Sequence, residues 1–185
     1  MSTKRSLRYI SGYIVGGSLF LVLLPFCLFR ISQAFDHLAG FQLIPSDSLR
    51  VLVAVILGIF GLLFGIWSNV VQNTIGEGGP LEVAGLAVSP KTQHLVVTGP
   101  YCYTRNPMLF GACLIYYALA IYLDSIFALA AVTLFMSFML ILVKLTEEPR
   151  LLKDFGSDYE EYRQRVPMFI PWKPRPPHIS PINVP

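Results

Sequence analysis

At 185 residues, 54% hydrophobic and only 14% charged, with a mean hydropathy of +0.59, the chain has far fewer charges than the roughly 25% of a soluble domain. That excludes a water-soluble enzyme and predicts an integral membrane protein. A net charge of +3, with basic residues gathered at Lys4, Arg5 and Arg8 and again at Arg163, Arg165, Lys173 and Arg175, suits anionic lipid headgroups rather than nucleic acid.

Residues 10–29 are apolar for about the length that crosses a bilayer. A basic start followed by Ser32-Gln33-Ala34 imitates a cleaved leader, but the run exceeds the roughly 7–15 residues of a signal core, so a span is expected. Residues 51–71 form a second such run, and 108–123 with 126–143 form two shorter ones that meet at Asp124-Ser125 as a helical hairpin. Four spans result, in an all-α membrane protein. Glycines recur on the first two (Gly12, Gly16 and Gly17, then Gly58, Gly61 and Gly65), which predicts close helix packing, with a role in lining a substrate path as the other reading. Lys4, Arg5 and Arg8 before the first span, and the basic residues after the last, place both termini in the cytoplasm. The 72–107 loop then lies there too, with the 30–50 loop and the hairpin tip outside.

That loop is dense in Gly, Pro, Ser and Thr. The apolar run His94-Leu95-Val96-Val97 and the pair Tyr101 and Tyr103 would be wasted in a solvated linker, so the loop is expected to fold back on the helices. After the fourth span, Glu147 and Glu148 precede Pro149, which predicts a kink or a fresh helix start. Ser157 and Glu160 form a capping-box pattern for a short helix carrying Tyr159, Tyr162 and Val166 on one face, ended by Pro167. Arg105, at the mouth of the third span, and the Glu147-Glu148 pair, at the mouth of the fourth, should be neighbours across the hairpin. Ionisable groups at that depth are costly unless paired or functional. Cys27, Cys102 and Cys113 are odd in number and far apart, giving neither a disulfide framework nor a metal site. With no composition break or repeat, residues 1–185 read as one domain.

A series of short motifs resembles the integral-membrane methyltransferases that include isoprenylcysteine carboxyl methyltransferase and the phospholipid N-methyltransferases. They are Gly76-Glu77-Gly78-Gly79-Pro80, Leu95-Val96, Gly99-Pro100-Tyr101, Arg105-Asn106-Pro107, Gly111, Glu147-Glu148, Phe155-Gly156, Tyr159, Tyr162 and Val166-Pro167. The resemblance covers residues 72–170 and implies S-adenosylmethionine as cofactor, held in a cytoplasmic pocket. It assigns cofactor contacts to Gln93 and His94, the adenine edge to the backbone of Leu95 and Val96, and closure over the cofactor to Gly99 and Tyr101. Arg105 with Asn106 would meet the carboxylate, Pro107 would also contact the cofactor, and Glu147 or Glu148 would meet the amino group or the substrate, with Arg105 and Glu148 as the catalytic pair. The sequence departs from the prenylcysteine enzymes at Asn106, where His is usual, at Leu109, where Tyr is common, and at Gln93, where a His is displaced by one place to His94. Those departures bear on the substrate more than on the cofactor.

The expected function is therefore S-adenosylmethionine-dependent methyl transfer to a lipid-like or hydrophobic small-molecule acceptor, a carboxylate or an amine, in the membrane. A sulfonium methyl is already activated, so the protein mainly has to align the reacting atoms. Two other readings stay open. One is an NADPH-dependent reductase of sterol-reductase type, whose cofactor phosphate calls for more cations than Lys91 and Arg105. The other is a membrane scaffold without catalysis.

Overall fold

The order of Ser, Asp and Pro before each apolar run explains where the helices begin. In the computed structural model, which describes residue 14 and residues 16–76, 82–83, 86–87 and 92–173, Ser46 opens α2 (Asp47–Thr74) by accepting the Leu49 N–H on its hydroxyl at 3.4 Å. Asp47 adds a negative charge to the first turn, where the helix dipole favours it. Ser125 does the same for α4 (Ile126–Leu142), accepting from the Ala128 N–H at 2.9 Å. α3 (Pro107–Tyr122) has proline at its first position, where the missing N–H costs nothing.

The two remaining helices are continuations. α1 (Leu24–Phe35) follows a π-helical turn, Ser18–Leu23, and α5 (Glu148–Arg165) follows another, Val143–Glu147. Each wide turn lies just before a proline, Pro25 or Pro149. A proline ring clashes with the carbonyl four residues back and leaves it without a donor, and widening the ladder accommodates both. The expected break at Pro149 is thus a widened turn within a continuous helix. The real break comes later, at Gly156, whose φ of 55° and ψ of −127° interrupt α5 one residue before the expected start at Ser157.

Three helices are long and apolar enough to cross a membrane, Ser18–Leu38, Asp47–Thr74 and Ile126–Arg165. α3 is the shorter apolar helix between them, about 24 Å long at 1.5 Å per residue. Of the four expected spans, three meet the length criterion. The first lies further along the chain than residues 10–29, because the helix runs on through Arg30 and Ser32 to Phe35, and residues 10–13 and 15 lie outside the described ones. Leu52, Ile59, Leu63 and Ile66 stand exposed along α2, as on a helix that faces lipid. A two-residue antiparallel pair, β1 (Glu82–Val83) with β2 (Leu86–Ala87), is the one strand pairing among the described residues.

α2 and α3 cross at Gly61 and Gly111, where a Cβ on either glycine would stand 2.7 Å from the other's carbonyl oxygen. There the helices touch backbone to backbone, as glycine spacing predicts. A buried cluster of Leu28, Cys113, Tyr116, Ala120, Ala128, Val132 and Met136 joins α1, α3 and α4. Tyr116 also donates its hydroxyl to the Phe20 carbonyl at 2.8 Å.

The hairpin tip is held by Asp124, which has a φ of 56°. Its Oδ1 accepts from the Leu43 and Ile44 N–H groups at 3.0 and 3.1 Å, and its Oδ2 is 3.3 Å from Arg50 Nη1. Ser125 donates to Asp36 Oδ1 at 2.8 Å. These bonds tie the α1–α2 connection to the α3–α4 turn at the far end of the bundle from Arg105.

Candidate functional site

The loop before α3 is folded onto the helices, as its apolar content predicts. Val96 is buried, while Leu95 and Val97 pack on Tyr159, Tyr162 and Val166 of the tail. Tyr162 donates its hydroxyl to the Tyr101 carbonyl at 2.8 Å. Glu77, Gly78, Gly79, Pro80 and Lys91, like the basic residues Lys4, Arg5, Arg8 and Arg175, lie outside the described residues.

The short stretch after Val166 then returns along the loop and fixes it. The Arg105 N–H donates to the Pro167 carbonyl at 2.9 Å, the Asn106 Nδ2 to the Met168 carbonyl at 2.8 Å, and the Trp172 N–H to the Tyr103 carbonyl at 3.0 Å. Thr104, fully buried, gives its hydroxyl to the same Met168 carbonyl at 3.2 Å. Asn106 thus spends its amide on the tail instead of capping α3.

Held this way, Arg105 reaches across the mouth of the hairpin. Its Nη1 stands 2.5 Å from Glu148 Oε1 and donates to the Tyr159 hydroxyl at 3.3 Å. Both side chains of the ion pair are about nine-tenths buried, at 11% and 10% exposure. The contact is close, but its angles fall outside hydrogen-bond geometry, so Glu148 Oε1 makes no hydrogen bond among the described residues. Arg105 Nε–H is equally without an acceptor there. A buried polar atom without a hydrogen bond costs about 1–3 kcal/mol; Glu148 Oε1 keeps its counter-charge at 2.5 Å, so the unmatched donor of the pair is the Arg105 Nε–H.

The pair borders a cavity of about 520 Å³, within the roughly 300–1,000 Å³ of small-molecule sites. Its walls differ in kind. The polar end carries Arg105, Asn106, Glu147, Glu148, Arg150 and the three tyrosines 101, 159 and 162; Asn69, Gln72 and Thr92 add further polar groups, and Phe20, Leu21, Met108, Leu109, Ala112, Ile115, Met139 and Val143 are among the apolar lining. At the polar end burial, and after it the Glu147 carboxylate, raise the Tyr101 phenol above the ordinary tyrosine range. Tyr101 is therefore a neutral hydroxyl at any ordinary pH.

Of the expected site residues, Leu95, Val96, Tyr101, Arg105, Asn106, Pro107, Glu147 and Glu148 all line this one cavity. Three others do not. Gln93 and His94 are exposed, and Gly99, with a φ of 60°, faces α2: a Cβ there would meet Val71 Cγ2 at 3.0 Å and Trp67 Nε1 at 3.2 Å. Residues that sequence reasoning did not assign to the site also line it, among them Phe20, Asn69, Gln72 and Arg150, with Tyr159 and Tyr162. The spacing of the two tyrosines announced a packed face, and nothing in it told that the face closes a cavity. No group of three or more His, Cys, Asp or Glu that could hold a metal occurs among the described residues.

A profile described as phospholipid methyltransferase matches residues 49–158, more than half of the chain. Methanethiol S-methyltransferase 1 of Bradyrhizobium diazoefficiens is 34% identical over 73 residues, which make up 40% of this chain and 25% of that protein. The chain therefore matches about a quarter of that relative's length. No solved structure matches.

Proposed function

The chain belongs to the phospholipid methyltransferase family, a family of membrane-bound methyltransferases, and on that premise we propose that its cavity binds S-adenosylmethionine beside an amphipathic acceptor. The observation that carries the reading is the composition of one cavity, with a buried Arg105–Glu148 pair at one end and an apolar limb at the other. The matched span, 49–158, includes α2, the Arg105 loop, the hairpin and Glu148.

The residues present fit that cofactor. Its amino-acid end carries a carboxylate and an ammonium. The unpaired Arg105 Nε–H suits the first, and Glu147 or Glu148 the second. Leu95, Val96 and Tyr101 offer an apolar and aromatic wall for the adenine. When bound, S-adenosylmethionine supplies a methyl group on a positively charged sulfur, ready for displacement.

What remains for the protein is placement. Tyr159 and the tail carbonyls of Pro167 and Met168 hold the Arg105 loop in place, so the polar end is organised before any ligand arrives. The apolar limb excludes water and takes the body of the acceptor, leaving its nucleophilic head toward the polar end. Thiolate, carboxylate and amine heads are all compatible with such a site. The sulfur acceptor in the name of the Bradyrhizobium relative adds thiols to the carboxylates and amines expected from sequence. We place the Arg105 end of the bundle, and both termini, on the cytoplasmic side, following the distribution of basic residues.

The test is methyl transfer by the purified protein in lipid nanodiscs, using methyl-labelled S-adenosylmethionine and three acceptors of equal chain length that end in thiol, carboxylate or amine. Label is expected in at least one product. Absence of label from all three, with saturable NADPH binding, would replace this reading by the reductase.

A further inference from the structure

Glycine in the middle of a helix costs about 1 kcal/mol relative to alanine, so each helical glycine calls for a reason. At Gly61 and Gly111 the reason is contact, since a Cβ would collide with backbone at 2.7 Å. One turn after Gly61, in the same helix, Gly65 is different. Its backbone shares the crossing, its N and Cα lying 2.8 and 3.2 Å from a Cβ built at Gly111, but a Cβ built on Gly65 itself meets nothing within 4 Å among the described residues, and neither does one built at Gly17. Gly17 has helical angles, φ −58° and ψ −47°, and Gly65 lies inside α2, so neither needs the left-handed conformation that glycine allows. Both line the cavity, with Phe20, Leu109, Ala112 and Ile115. What the two glycines keep open is the cavity itself.

We propose that Gly17 and Gly65 are specificity-determining residues that set the bore of the apolar limb, so that an acceptor with a long alkyl body is admitted because these positions carry no side chain. The proposal rests on the methyltransferase reading for the word acceptor, and on geometry alone for the bore. A Cβ at Gly65 has open space before it, and the residue lines the cavity, so a longer side chain there takes up cavity volume. It narrows the limb and leaves the Arg105–Glu148 end as it is. Gly65→Leu therefore discriminates by length: it excludes long acceptors and admits short ones.

The experiment uses the full chain in nanodiscs and two carboxylic acids of four and ten carbons, each carrying a diazirine at its far end. Photo-crosslinking is read by mass spectrometry on the peptide that holds Met108 to Ile115. Wild type captures both probes. Gly65→Leu is expected to lower capture of the ten-carbon probe about tenfold and of the four-carbon probe less than about twofold, with Gly17→Leu acting in the same direction if either variant melts too low to use. Calorimetric titration with S-adenosylhomocysteine runs alongside, and its affinity stays within about twofold of wild type. Equal loss of both probes, undiminished capture of the longer one, or no capture by wild type each overturns the proposal. If length selectivity is seen in a protein that does not bind S-adenosylhomocysteine, the bore stands and the methyltransferase reading falls.

Discussion

The pairing of Arg105 with Glu148 is the feature of the site that the sequence made most legible, because two prolines and a hairpin leave little freedom in where the helix mouths stand. Its burial was not legible. The sequence places Glu148 at a helix mouth without telling how far water is excluded there. With Glu148 8% exposed and in contact with Arg105, Glu148→Gln leaves a buried guanidinium without its counter-charge, which costs about 3 kcal/mol. Thermal melting in detergent should show a clear drop, and Glu148→Asp a smaller one. Tyr101 makes a second prediction. Its folded-state pKa is raised by burial first and Glu147 second, so the neutral phenol is what the fold holds. Stability from this group is complete below the ordinary tyrosine value of about 10, and it is lost as the pH rises from there through the higher folded value. Tyr101→Phe, which cannot ionise, should flatten the alkaline fall in melting temperature above about pH 10, whereas an unchanged slope would assign that fall to other groups.

At the scale of elements, the helices were readable from apolar runs and prolines, and the errors fall where local chemistry misleads. The apolar run set the first span at residues 10–29, ending before Arg30. In the fold Ser32 bonds Asp36 Oδ2 at 2.6 Å and the helix runs through Arg30 and Ser32. The glycine pattern of the first two spans was read as packing, with a cavity wall as the other reading; packing holds at Gly61 and for the backbone of Gly65, both against Gly111, while the Cβ positions of Gly17 and Gly65 meet nothing within 4 Å among the described residues, since spacing places a glycine on a face without telling what the face meets. The contrast is testable within α2. Gly61→Ala, forced against the Gly111 carbonyl, should cost about 2 kcal/mol. Gly65→Ala should be neutral or gain up to about 1 kcal/mol. Melting temperatures moving in the same direction by equal amounts would contradict the crossing. The tail was the least legible element. That Asn106 and Thr104 both serve the Met168 carbonyl joins residues more than sixty positions apart, and no periodicity encodes it.

For the molecule as a whole, composition was enough to predict a helical membrane protein, and the order of short motifs gave the family that the match over 49–158 shows. A pocket was expected through the resemblance, but the share that the turn before α1 gives it through Phe20, and α2 through Asn69 and Gln72, was beyond reach, because it exists only where those elements, the hairpin and the tail meet. The orientation we propose from the charge distribution predicts that single cysteines at Ser2 and Ser180, in a background without Cys27, Cys102 and Cys113, are protected in intact cells from an impermeant thiol reagent and labelled after permeabilisation. Labelling of either from outside would remove the cytoplasmic cofactor site. The central claim is narrower, that the buried Arg105 end of the cavity holds the methyl donor. Its most direct test is calorimetric titration of the purified protein with S-adenosylhomocysteine, comparing wild type with Arg105→Lys. Lysine keeps the charge beside Glu148 but has neither the Nε–H nor the fork that grips a carboxylate. Saturable one-to-one binding that weakens about tenfold or more in the variant, with its melting temperature little changed, is the predicted result, while binding of equal strength in both proteins, or none in either, would contradict it.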